Sequence, residues 1–123
     1  MPWNLDSDRP IFLQIVERIQ MDIIAGRYAP GDKLPSVRDL AAEAAVNPNT
    51  MQKAFQELER TGLVHSQRTS GRFITEDTTM IEDLKTSFAN EKIHEFLTLM
   101  RQLGFENEQI LDMINRNIKE EQA

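Results

Sequence analysis

The stretch from Leu34 to Gly62 constrains this chain more than any other. Ser36 stands before a short apolar-periodic run, and Asp39 follows it as in a variant capping box. Val37, Leu40, Ala41 and Ala44 fall on one helical face. The run stops near Ala45-Val46, and a second helix start follows at once. Asn47 is a candidate N-cap, and Pro48 suits the first helical position, where a missing N–H costs nothing. Met51, Ala54, Phe55 and Leu58 then make one apolar stripe, and Gly62 closes the helix. Two such helices joined by a turn of about three to four residues make a helix-turn-helix.

The other face of the second helix carries Asn49, Gln52, Lys53, Gln56 and Arg60, with Thr50 beside them. On most helices such a face is simply wet. Directly after the turn of a helix-turn-helix it presents amides, a hydroxyl and cations to a major groove, where they read base edges and phosphates.

The rest of the chain fits around this pair. Met1–Arg9 reads as an extended arm that Trp3 and Leu5 anchor. Pro10 opens a helix as its first residue, with Asp8 as a nearby cap, and Phe12, Ile15, Val16, Ile19 and Ile23 form its buried stripe. Gly26 ends it, and Arg27–Lys33 is a turn-rich connector. After Gly62, Leu63–Ser66 and Arg72–Thr75 are strand candidates around a Gln67–Gly71 turn, which makes a hairpin. Helices followed by such a hairpin form a winged helix-turn-helix. The wing would offer Arg68, Thr69, Ser70, Gly71 and Arg72 to DNA; alternatively, its arginines guard an exposed strand edge.

A polar break at Glu76–Thr79 marks a boundary, giving a DNA-binding domain over 1–76 and a helical tail over 77–123. Thr78 or Thr79 would cap a long helix running to Leu103, and Gly104 separates it from a last helix. Two helices of this size do not bury two apolar stripes alone. Dimerisation is the economical solution. Ile93, Phe96, Leu97, Met100, Ile110, Leu111 and Ile114 are the candidate seam. The expected fold is mainly α with a small β-hairpin: an N-terminal winged helix-turn-helix and a C-terminal α-helical dimerisation tail.

Charge supports this division. The whole chain of 123 residues carries −6. Residues 1–75 hold nine Lys/Arg and nine Asp/Glu, whereas 76–123 hold five and eleven, so the tail carries the entire excess. An acidic tail belongs away from a phosphate backbone. The absence of cysteine excludes disulfides and thiolate chemistry. His65 and His94 have no companions at metal-ligand spacing, and no Ser/His/Asp set is evident. The expectation is no enzyme, no cofactor, no metal, no membrane span or signal pattern, and a cytoplasmic location.

Three segments carry a resemblance: Pro10–Ile15, Gly26–Ala41 and Val46–Phe55. Within the second, Gly-x-x-x-Pro-Gly-x-x-Leu-Pro-Ser-x-Arg-x-Leu-Ala is a specific string. From about Pro10 to Ile74 the chain resembles the GntR family of bacterial transcription regulators, and its short helical tail resembles the YtrA-type subfamily. The resemblance implies that Arg38, in the Pro-Ser-x-Arg segment, contacts DNA beside Ser36. It implies that Asn49, Thr50, Gln52 and Lys53 contact bases and phosphates, and that the wing tip at Thr69–Gly71 meets the minor groove. Larger relatives carry a basic residue where Pro48 stands, and often another at Gln52. Their operator sequence therefore does not carry over.

The expected function is sequence-specific binding of double-stranded operator DNA by a homodimer, as a repressor of a palindromic site. Control of a transporter operon is implied by the resemblance alone. Two other readings compete: a winged-helix protein-interaction module, and a small-molecule sensor whose effector is unknown.

Overall fold

The computed structural model describes residues 3–68 and 70–122. Among them the elements run α1 (Ile11–Ile24), α2 (Val37–Ala44), α3 (Pro48–Arg60), β1 (Val64–Gln67), β2 (Gly71–Ile74), α4 (Thr78–Gln102) and α5 (Asn107–Gln122). This is the mainly helical fold with one antiparallel hairpin that the sequence predicts. The chain divides into two compact units, Met1–Lys85 and Thr86–Ala123.

In the first unit α1 and α2 both pack on α3. Ile15, Ile19 and Ile23 of α1 meet Leu40, Ala41 and Ala44 of α2 around Met51, Ala54, Phe55 and Leu58 of α3, all buried. Truncating a fully buried side chain such as Phe55 to alanine costs about 3–5 kcal/mol. The arm is anchored as expected. Trp3 is buried, its indole N–H donates to Glu43 at 3.2 Å, and Arg18 lies 4.7 Å from its ring centre. Gln14 sits in the buried stripe of α1 because its amide serves the arm. It accepts from the Asp6 N–H and donates to the Asp6 carbonyl, both at 2.7 Å.

The helix ends follow local chemistry. Ser36 caps α2 by accepting from the Asp39 N–H at 3.0 Å, and Asn47 caps α3 by accepting from the Asn49 N–H at 2.8 Å. Each cap is worth about 1 kcal/mol. Two expectations need correcting. Pro10 is the N-cap residue of α1, not its first helical residue; its extended ψ of 126° keeps it outside, and no side chain, Asp8 included, caps that end. Asp77, not Thr78 or Thr79, caps α4, because its carboxylate reaches the Met80 N–H at 3.1 Å while Thr78 is already helical.

The turn between α2 and α3 is closed by Ala45, in the left-handed region at φ 60°. The Val46 N–H returns to the Ala41 carbonyl at 3.0 Å. The two units divide inside α4, beyond the polar break at 76/77. Met80, Ile81 and Leu84, from the first turns of that helix, pack against the core of the first unit.

The hairpin pairs Val64 with Ile74, His65 with Phe73, Ser66 with Arg72 and Gln67 with Gly71. A third segment joins it. Lys33 bridges Phe73, the Leu34 N–H donates to the Arg72 carbonyl, and the Ile74 N–H donates to the Asp32 carbonyl, both at 2.8 Å. The end of the turn-rich connector is therefore an edge of the wing.

In the second unit the Gln109 side chain reaches back over the start of α5 and accepts from the Glu106 N–H at 2.8 Å. Among the candidate seam residues Met100 and Ile110 are buried within the unit itself, and Leu97 and Ile114 are half-buried. Ile93, Phe96 and Leu111 are exposed, as are Leu99, Leu103 and Ile118.

Candidate nucleic-acid interface

A concavity of about 630 Å³ lies between the wing, the start of α2 and the outer flank of α3. It brings together Ser36, Arg38, Gln52, Ser70, Gly71 and Arg72, which were singled out from segments far apart in sequence. Lys33 and Asp39 also line it. Asn49, Lys53 and Gln56 are exposed on the face of α3 that continues outward from it. Thr50 is placed elsewhere. It lines a separate groove of about 390 Å³ with Trp3, Leu5, Ile11 and Val46, on the arm side of α3. Thr69 lies outside the described residues.

The cations in this region differ in their freedom. Among the described residues Lys33, Arg38, Lys53 and Arg68 make no ion pair. The Lys53 ammonium rests 4.0 Å from the centre of the Phe12 ring, a cation–π contact that holds its stem along the helix surface. Arg60 is forked onto Glu57, its Nε at 3.0 and 3.1 Å from the two carboxylate oxygens. Glu57 is held below the usual carboxylate range by that bond.

Arg72 is differently disposed from a free DNA-contacting arginine. It is half-buried, lies over the Phe55 ring at 5.2 Å and donates from Nε to Glu59 of α3. Burial pushes the Glu59 carboxyl up, but the bonds from Arg72 and Ser66 outweigh it and leave the group below its ordinary value. Arg72 therefore ties the wing to α3, whereas Arg68 stands exposed at the turn.

Two residues of this region carry no clear signal in the sequence. Lys33 falls in the turn-rich connector, though its place directly before Leu34-Pro35-Ser36 puts it beside the start of α2. Glu59 carries no local signal at all, because its partners lie across the hairpin.

Among the described residues no cluster of His, Asp or Glu is arranged to hold a metal ion, and no helix is long and apolar enough to cross a membrane.

Known proteins agree with this architecture. Residues 12–74 match the model of the bacterial regulatory proteins of the gntR family. The HTH-type transcriptional regulator YhcF of Bacillus subtilis is 40% identical over 111 residues, covering 90% of this chain and 92% of the relative. The HTH-type transcriptional repressor YtrA of the same organism is 37% identical over 110 residues, covering 88% and 84%. A GntR family transcriptional regulator from Listeria monocytogenes has a similar solved structure, with a TM-score of 0.86, 39% identity and coverage of 91% of this chain and 98% of that one. Family regulators of this kind act on DNA and catalyse no reaction. The chain belongs to the GntR family of bacterial regulatory proteins and is a helix-turn-helix transcription regulator.

Proposed function

We propose that the protein is a homodimeric repressor of the YtrA-like type that binds a two-fold symmetric operator. The observation that carries the DNA reading is the concavity itself. Arg38, without an ion-pair partner among the described residues, and the amide of Gln52 line it together, and the outer face of α3 continues it with Asn49 and Lys53. Arg38, Lys53 and Arg68 take phosphates in this reading; Asn49 and Gln52 take base edges. Ser36, Ser70 and Gly71 line the wall against which the backbone passes.

The dimer reading rests on the second unit. Ile93, Phe96, Leu99, Leu103 and Leu111 are all more than 40% exposed, a density of large apolar side chains that monomers seldom leave wet. An apolar groove of about 320 Å³ between α4 and α5, lined by Phe96, Met100, Met113 and Ile114, belongs to the same surface. A second tail is the occupant that covers both copies at once. Repression follows the similarity to YtrA, and control of a transporter operon follows the subfamily resemblance.

Titration of a labelled mixed-sequence duplex with the full-length chain tests the reading. Binding that weakens steeply between low and moderate salt is expected, because each neutralised phosphate releases counterions. Absence of binding at low salt would favour the protein-interaction module instead.

A further inference from the structure

We infer that Lys33 is an additional DNA-backbone contact, which with Arg38 grips one phosphate in the notch between the wing and the start of α2. The inference rests on the DNA-binding reading and adds a residue to it.

Three observations place Lys33 there. Its main chain is fixed, because it bridges Phe73 and is flanked by the bonds from Leu34 to Arg72 and from Ile74 to Asp32. Its side chain is directed across the wing. A Cβ added to Gly71 would meet the Lys33 Cε at 3.0 Å and its Nζ at 3.7 Å, so the stem lies along the bare backbone of that glycine. Its ammonium has no carboxylate partner among the described residues, and both Lys33 and Arg38 line the same concavity.

The cation count of the notch explains why a lysine would be needed. Arg72, also on its wall, is neutralised by Glu59, and Asp39 contributes an acid at the rim. With Arg38 alone the notch would be close to neutral. Lys33 restores a positive balance at the point where wing and helix-turn-helix converge, and a strand-held lysine brings its charge there at low cost in ordering. The bland alternative is that Lys33 guards the exposed edge of the wing against pairing with another strand.

Full-length wild type, Lys33→Met and Lys33→Arg, each checked for folding by circular dichroism, are titrated against one short mixed-sequence duplex over a salt series. Lys33→Met keeps the stem and removes the charge. Its logarithmic salt slope should fall by about 0.9 per bound chain, so its deficit should shrink roughly threefold per bound chain between about 50 and 200 mM salt. Lys33→Arg should keep the wild-type slope. Equal slopes for wild type and Lys33→Met, or a slope lost equally in Lys33→Arg, would overturn the assignment and leave DNA binding intact. A wild-type chain that binds no duplex would overturn the DNA reading itself, and the Lys33 contact with it.

Discussion

Arg72 on β2 donates to the same oxygen of Glu59 on α3 that accepts from Ser66 on β1, the latter at 2.8 Å. One carboxylate thus fastens both strands of the wing to α3.

Glu59→Ala should therefore loosen the wing and cost about 1 kcal/mol or less of stability, since the pair is partly exposed. The pH dependence has a definite sign. The folded pKa of Glu59 lies below its ordinary value of 4.5, so the unfolded chain takes up the proton first as pH falls. The contribution is present above about pH 4.5 and is lost as pH drops through the folded value. Urea unfolding at neutral pH and near pH 3 should show the gap between wild type and Glu59→Ala closing in acid. A gap of constant size would show that the charge of Glu59 is not what holds the joint.

Arg38→Ala and Gln52→Ala should fail in different ways. Arg38→Ala should weaken every duplex alike and lower the salt slope by about one unit. Gln52→Ala should relax the preference at one position of the site, at about 1–3 kcal/mol. Parallel binding curves on a matched and a singly substituted site separate the two. An unaltered preference in Gln52→Ala would mean that α3 sits in the groove on another face.

Ala45 offers a stabilising change. A non-glycine residue in the left-handed region costs about 1–2 kcal/mol, and Ala45 is exposed at φ 60°. Ala45→Gly removes that strain and returns part of it as unfolded-state entropy. A net gain of about 0.5–1 kcal/mol is expected by thermal or urea unfolding, with duplex affinity unchanged. A loss of stability would show that the turn depends on the Ala45 methyl.

Much of this was legible in the sequence, where the signal is local. Ser36 and Asn47 cap the helices they precede, and the stripes of α1, α2 and α3 are the buried ones, because caps and periodicity act within a turn or two of chain. What was not legible is set through space. The third edge of the wing rests on a single bridge at Lys33, too short to show alternation. The engagement of Arg72 depends on where β2 falls against α3. Gln14 is buried beside the stripe of α1 because its amide serves Asp6 of the arm, a contact with no local signal. Of the candidate seam, Met100 and Ile110 share the apolar pattern of Ile93 and Leu111, and only packing distinguishes the side chains buried within the unit from those left outside.

The tail provides a cut that separates folding from assembly. Because Met80, Ile81 and Leu84 belong to the first core, the cut belongs after Lys85 and not at the polar break. The 1–85 fragment should be folded and monomeric by light scattering, and the full chain dimeric. The fragment should bind a half-site weakly, since linking two sites multiplies affinity through effective concentration. A full-length monomer at micromolar concentration, or a fragment that still dimerises, would remove the tail from the interface.

In the proposed complex two copies of this chain read two-fold symmetric DNA through α3 and the wing. The decisive experiment is selection of bound duplexes from a random pool by the full-length protein. An inverted repeat should be enriched, its half-sites about one helical turn, roughly 34 Å, or a multiple of it apart. A pool that stays random after repeated rounds at low salt would contradict that arrangement.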